Sequence, residues 1–182
     1  MDLYGGGSEE LEEHLMNSYR KRDQILAMIK EVLKEIDYGT PYVSTEGDRL
    51  RTFSAVDIDE YTMLIESNFA DGSDYLEVTV SFSQAAPVNR MEETLKMIQI
   101  YNSRAPFGGH FQILSLPPRT VAFTTLVDIE KGIDKEAFRS ELENAILSGT
   151  FFFPYLMKIF KGEVSAEEAA AEFFSGLTHV ED

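Results

Sequence analysis

The chain has 182 residues and a formal net charge of −16, because 32 acidic residues outnumber 16 lysines and arginines. A surface this negative repels phosphate groups, so neither nucleic acid nor an anionic membrane is expected as a partner. The chain has no cysteine, which excludes disulfides, thiolate metal sites and a cysteine nucleophile. The acidic start has no apolar signal-peptide core, and no apolar run reaches the ~20 residues of a spanning helix, so a cytoplasmic location is expected.

A long helix is predicted at the start of a single domain over residues 9–175. The glycine-rich residues 1–8 predict a flexible leader, and residues 176–182 a flexible tail. Ser8 precedes four glutamates within five residues, which favours a helix N-cap. Glycine and proline in "DYGTP" predict the end of this helix. Its expected buried stripe consists of apolar residues spaced three, four or seven apart: Leu15, Tyr19, Leu26, Ile29, Leu33 and Ile36.

Three strands are predicted next. "YLEVTVSF" and "YTMLIESNF" alternate apolar and polar residues, which is typical of half-buried strands. The intervening "ADGSD" has turn chemistry. "RLRTFSAV", residues 49–56, is a less regular strand that precedes both. Because the connections are short, we expect the strands to form an antiparallel meander.

A second helix and two further strands follow. Asn89 with Glu92 predicts a capping box, and Met91, Leu95 and Ile98 share the expected buried side. The helix ends in "SRAPFGG", where the glycine pair favours a corner with positive φ. "HFQIL" and "TVAFTTLVDI" then alternate as strands.

The last third is predicted to be helical. A stripe begins at Phe138, and Gly149 and Pro154 predict a break or kink. Gly162 favours a C-cap, and Ser165 with Glu168 forms a capping box for a last helix. The order is α-β-β-β-α-β-β-α, with an additional final helix. It predicts an α+β domain whose antiparallel sheet is covered by helices on one side.

The sequence assigns no catalytic, cofactor-binding or metal-binding residue. His110 is expected to face solvent beside a turn, because its parity is opposite to that of Phe111. The glycine pair lacks the context of a phosphate-binding loop. The three histidines, His14, His110 and His179, have no metal-ligand spacing. A carboxylate site, for example among the acids of "DIDE" at residues 57–60, is left open.

The segment "TFFFPYLMKIF" is apolar around most of its circumference. A helix of this kind is either central to a core or shared with a partner, and core burial is the favoured interpretation. The aromatic residues cover more of the helix than one core face requires, so we also expect a homodimer or another protein contact here. The candidate contact residues are Phe151, Phe152, Phe153, Tyr155 and Ile159.

Three segments together resemble the YbjN family of bacterial sensory transduction regulators. They are "YNSRAPFGGHFQIL", "TVAFTTLVDI" and "LSGTFFFPYLMKIFKGEVSAEEA". The family pattern is matched by residues from the middle helix to the last one: Asn102, Gly109, Phe111, Gly162, Ser165, Glu167, Glu168 and Ala169. The sequence departs from the pattern at "LPPR", where the family has an Asp-Gly type of turn.

The resemblance implies a fold like that of type III secretion chaperones, which are acidic, cytoplasmic, often dimeric and non-enzymatic. It therefore implies a chaperone-like or regulatory protein that binds a protein partner without a cofactor, in bacterial signalling or secretion. It transfers no catalytic residue. The alternative is a small hydrolase or transferase with an unrecognised carboxylate site.

Overall fold

The computed structural model describes residues 6–58, 61–104, 108–115 and 118–177. Over these residues it is an α+β structure with a six-stranded sheet and four α-helices, which confirms the predicted fold class. The helices are α1 (Gly6–Glu35), α2 (Met91–Arg104), α3 (Lys135–Lys161) and α4 (Ala166–Leu177). Most of the predicted leader and tail lies outside the described residues. The strands are β1 (Tyr42–Glu46), β2 (Arg49–Ile58), β3 (Tyr61–Ala70), β4 (Tyr75–Ala85), β5 (His110–Ile113) and β6 (Thr120–Asp128).

The sheet is antiparallel throughout, with strand order β1-β2-β3-β4-β6-β5. One register row runs from Ile65 to Val80, Phe123 and Phe111, and all four side chains are buried. Because side chains alternate along a strand, every second residue joins this buried face. The apolar sides of the four helices belong to the same core cluster, so the described helices cover the sheet on one side.

β1 is the strand that the sequence does not reveal. Its residues "YVSTE" are half-buried or exposed, and it pairs with β2 at the edge of the sheet, Tyr42 opposite Phe53. An edge strand of this kind needs no apolar alternation, since little of it is buried. The meander therefore has four strands before α2, where three are predicted.

The start of α2 also differs from the prediction. Asn89 lies inside a 3₁₀ turn over Val88–Arg90 that has Pro87 at its N-cap position, so the predicted capping box does not form. The hydroxyl of Thr94 donates to the carbonyl of Arg90 at 2.9 Å. Leu95, predicted to be buried, is exposed, because the buried side is rotated toward Thr94, Met97, Ile98 and Tyr101.

α3 is one continuous helix through Gly149 and Pro154. Of the predicted break or kink, the break is therefore wrong. Pro154 is exposed, while the neighbouring Phe152 and Phe153 hold the helix in the core. The two ends of α3 and the start of α4 are capped by side chains and a left-handed glycine. Asp134 accepts from two backbone N–H groups at the start of α3, and Gly162 ends it with φ 75°. The Ser165–Glu168 capping box forms as predicted.

α1 packs against the core through its C-terminal half. Ile25, Met28, Ile29, Val32 and Leu33 are buried in the core. The prediction that Tyr19 belongs to the buried stripe is wrong, since its side chain is 57% exposed. The helix also begins at Gly6, two residues before the predicted cap at Ser8.

The corner between α2 and β5 is held by Asn102. Its amide nitrogen donates to the carbonyl of Phe111 at 2.8 Å, and its amide oxygen accepts from the N–H of Phe111 at 2.9 Å. The side chain thereby pairs with β5 as a neighbouring strand would. Gly109 has φ 136°, and a Cβ there would lie 2.5 Å from the ring of Phe123. The glycine pair thus serves a turn, in which Gly109 is the sterically required member.

We predict that Gly109→Ala lowers the free energy of unfolding by about 2–4 kcal/mol, because the methyl group meets Phe123 and the backbone must adopt a positive φ. Gly108→Ala is the matched control, since nothing lies within 4 Å of its added Cβ. It should change stability by less than about 0.5 kcal/mol, as should His110→Ala at an exposed position. Denaturant unfolding of the three variants measures these differences. Equal costs at the two glycines would contradict this account of the corner.

Candidate functional site

The face of the sheet opposite the helices, called here the open face, carries exposed apolar side chains. Their relative exposures run from 37% to 72%. Two groups can be distinguished by register: one on β1–β3 and one on β4 and β6. Scattered single apolar residues are ordinary on a surface, but five on one sheet face make a candidate interaction site. They are Tyr42, Phe53 and Leu64 in the first group, and Tyr75 and Leu126 in the second.

The first apolar group is contiguous. The rings of Tyr42 and Phe53 are 6.3 Å apart between centroids. Leu64 lies diagonally across from Phe53, because Phe53 pairs with Glu66 two residues along β3. Diagonal neighbours in a sheet are within reach of aromatic side chains. The group therefore forms one patch at the β1 side of the sheet.

Small polar residues separate the two apolar groups. The hydroxyls of Thr79 and Thr124 lie 3.1 Å apart, and the amide nitrogen of Gln112 donates to Thr124 at 2.9 Å. Both threonines are buried. The centre of the open face is therefore a hydrogen-bonded polar strip with satisfied threonine hydroxyls.

Glu66 is the carboxylate of the open face that is perturbed by its surroundings. Burial raises its pKa above the ordinary value, and the nearby charge of Glu77 raises it further. The guanidinium of Arg51 acts in the opposite direction, with 3.8 Å between its Nε and the carboxylate Oε1. The rise prevails, so the negative charge of Glu66 is incompletely compensated within the chain.

A shallow cleft of about 430 Å³ lies where β5 begins, beside β6. His110 is exposed at its rim, as predicted. The acids Glu77 and Glu141 line the cleft, and Glu141 accepts a hydrogen bond from Thr125 at 2.8 Å. The cleft therefore lies at the edge of the sheet, between Glu77 and Leu126 of the open face and Glu141 of α3 on the helix side.

The candidate contact residues of α3 divide into buried and accessible ones. Phe152, Phe153 and Ile159 are 0% exposed. Phe152 stacks on Phe111 at 4.0 Å and Phe153 on Phe82 at 4.1 Å between centroids. A side chain that the protomer encloses cannot reach a partner, which corrects the sequence-based assignment for these three.

Two of the five candidates retain accessible surface. Phe151 is 53% exposed, and Tyr155 is half-buried with its ring edge-on to Phe173. The segment is therefore mainly core, which was the favoured interpretation of its sequence. Of the five residues only Phe151 is more than half exposed, so together they offer a small contact surface.

The carboxylates of "DIDE" do not assemble a described site. Asp57 accepts a hydrogen bond from Thr62 at 2.6 Å, while residues 59 and 60 lie outside the described residues. Among the residues that the structure describes, no cluster of three or more histidines and acids is arranged to hold a metal ion. No helix in the same part of the chain is long and apolar enough to cross a membrane.

The open face is not apparent when only the buried parity of each strand is followed along the sequence. The signal is nevertheless present. Phe53, Leu64 and Leu126 stand at positions where alternation calls for polar residues. Apolar residues at the solvent-facing parity of several strands indicate a second apolar surface on the same sheet.

Comparisons with known proteins add little to this description. No protein-family model matches the chain, and neither does any curated protein. Among solved structures, the chain is similar to an uncharacterized protein from Methanothermobacter thermautotrophicus. The identity is 15%, the match covers 75% of this chain and 96% of that chain, and the TM-score is 0.48. A likeness this distant bears on neither function nor partners.

We predict that Glu66→Gln stabilises the isolated protein near pH 7.5 and that the gain shrinks as the pH falls. A carboxyl whose folded pKa is raised binds its proton more tightly in the folded state than in the unfolded state. Its charge therefore opposes folding above the folded pKa, and this penalty disappears below the unfolded value of about 4.5. Denaturant unfolding at about pH 7.5 and at about pH 4.5, the unfolded value, compares the variant with the wild type. A gain that grows toward acid would contradict the assigned direction.

Proposed function

We propose that this protein is a non-catalytic binding module, chaperone-like or regulatory, which holds a segment of a protein partner on the open face. The exposed apolar side chains of that face carry the proposal. In a two-layer α+β domain the side of the sheet without helices is expected to be mostly polar. Here aromatic and aliphatic side chains lie on it in two groups. Exposed apolar groups lower solubility, and a role in binding explains why the protein has them.

The arrangement of the face favours an extended partner segment. The two apolar groups are separated by the polar strip of Thr79 and Thr124, and they lie on different strands of one sheet face. A strand-like segment that crosses the sheet can place one apolar side chain on each group and keep polar atoms over the strip. A compact globular partner would also have to match the polar strip in shape.

Charge favours a partner segment that is basic. The chain carries a net charge of −16, and Glu66 and Glu77 lie on the open face. A lysine or arginine placed near Glu66 would relieve the unfavourable burial of that carboxylate. Complementary charge also accelerates encounter and selects against acidic segments.

The YbjN-like sequence pattern supports the same class of function. It implies a small acidic chaperone-like protein, and an exposed apolar face on an acidic domain is suited to that role. A place in bacterial signalling or secretion is part of the proposal on the same ground.

We predict that a labelled peptide of about twelve residues that alternates valine and lysine binds the protein, whereas the matched valine–glutamate peptide does not. Leu64→Lys should weaken binding by roughly tenfold or more, equivalent to ~1.4 kcal/mol, because it places a like charge in the first apolar group. Fluorescence anisotropy measures the affinities, and amide chemical shifts locate the contact.

Leu95→Lys is the control, because Leu95 is equally an exposed leucine but lies on α2, away from the open face. It should leave the affinity unchanged. Binding of the acidic peptide with the same strength, or equal losses in the two lysine variants, would refute the open face as the site.

A further inference from the structure

One register row of the sheet crosses the open face from its β1 edge and passes through Glu66. Tyr42 pairs with Phe53, Phe53 with Glu66, and Glu66 with Thr79. Directly paired residues of an antiparallel sheet point to the same side. The row therefore places the carboxylate of Glu66 between the two aromatic side chains of the first apolar group and the polar strip.

Glu66 also lies next to the third member of the first apolar group, along its own strand. Leu64 and Glu66 are separated on β3 by Ile65, whose side chain points to the opposite side and is buried. Every second side chain of a strand lies on the same side. Apolar surface and carboxylate are thus adjacent in two directions, across the strands and along β3.

The carboxylate of Glu66 is accessible and its charge is incompletely paired. The side chain is 33% exposed, and the 3.8 Å between its Oε1 and the Nε of Arg51 is longer than a hydrogen bond. Glu77 on the neighbouring strand adds a second negative charge, which acts to raise the pKa of Glu66. One base thus serves two acids here, and a basic side chain of a partner would complete the pairing.

The distances between these features match the repeat of an extended chain. Neighbouring strands are about 4.8 Å apart, so the centre of the Tyr42–Phe53 pair lies about 7 Å from Glu66 across the sheet. Along β3, Leu64 and Glu66 are about 6.7 Å apart, which is twice the rise per residue. Residues i and i+2 of an extended partner segment have this same separation and point to the same side. A segment that runs across the strands or along them therefore brings a basic side chain to Glu66 when that residue is two positions from the apolar one.

We propose that Glu66 determines the specificity of the open face, by selecting partner segments in which lysine or arginine lies two residues from an apolar anchor. The anchor contacts the first apolar group, and the intervening residue points away from the sheet. A segment with the basic residue directly beside the anchor keeps only the general attraction of an acidic surface, since its base points away from Glu66. This inference rests on the proposed function and adds to it the spacing in the partner and the residue that recognises it.

Two labelled peptides of identical composition test the spacing on the full chain. In three repeats of Leu-Ser-Lys-Ser the leucines and lysines lie on the same side of an extended segment, whereas in three repeats of Leu-Lys-Ser-Ser they lie on opposite sides. Fluorescence anisotropy should show that the wild type binds the first peptide about fivefold more tightly than the second, since the two differ in one partly buried ion pair.

Substitutions at Glu66 test which residue recognises the base. Glu66→Gln, which is expected to fold at least as stably as the wild type, should bind the two peptides with less than about a twofold difference. Glu66→Lys should prefer Leu-Ser-Glu-Ser repeats to Leu-Ser-Lys-Ser repeats. The matched control is Glu92→Gln, at an exposed acid on α2, which should keep the wild-type preference.

The variant Leu64→Lys separates a failure of this inference from a failure of the proposed function. Equal binding of the two lysine peptides by the wild type, with both weakened by Leu64→Lys, would leave the open face as the site and overturn the role of Glu66. A preference that persists in Glu66→Gln would overturn it as well. If neither peptide bound, or if Leu64→Lys changed neither affinity, the open face itself would be refuted and this inference with it.

Discussion

The aromatic contact between the sheet and the long helix α3 is the interaction on which the rest of the structure depends. Phe111 of β5 stacks on Phe152 of α3, with 4.0 Å between ring centroids. Tyr101 of α2 meets both rings edge-on, and Phe173 of α4 closes the cluster against Phe152. Because β5 and three helices contribute to one cluster, their apolar side chains are buried on one side of the sheet. The opposite side is left without a helix, and the open face follows from that imbalance.

Much of this arrangement could be predicted from the sequence, wherever burial produces a periodic pattern. β3 and β4 alternate cleanly, and the Ser165–Glu168 capping box is local chemistry, so both are correct. The predictions that are wrong or incomplete have physical causes. β1 is a polar edge strand that buries almost nothing, and Pro154 sits on the exposed side of a helix that is anchored by neighbouring phenylalanines. The open face is not evident from any single strand, because one apolar residue at the solvent-facing parity is ordinary. Such residues indicate an apolar surface only when the register of several strands places them side by side.

The glycine–histidine segment shows that a sequence can also suggest a functional site where the structure has a turn. Its residue types are typical of catalytic sites, yet the structure uses them to turn the chain. Asn102 pairs with the backbone of β5, and Gly109 fits beneath the ring of Phe123. Interactions between residues close in sequence but in different elements determine this role, and composition alone does not reveal them. The open face, in contrast, combines apolar groups with acids such as Glu66, whose charge is only partly compensated by Arg51.

Side-chain accessibility in the native complex shows directly whether the open face holds a partner. Oxidative footprinting followed by mass spectrometry would compare the purified protein with the same protein in a complex isolated from its host. We expect strong protection of Tyr42, Phe53, Leu64 and Tyr75 in the complex, with Leu95 and Leu147 on the helical side unchanged. Oxidation of the open face at the same rate in both samples, together with protection of Leu95 and Leu147, would contradict this expectation.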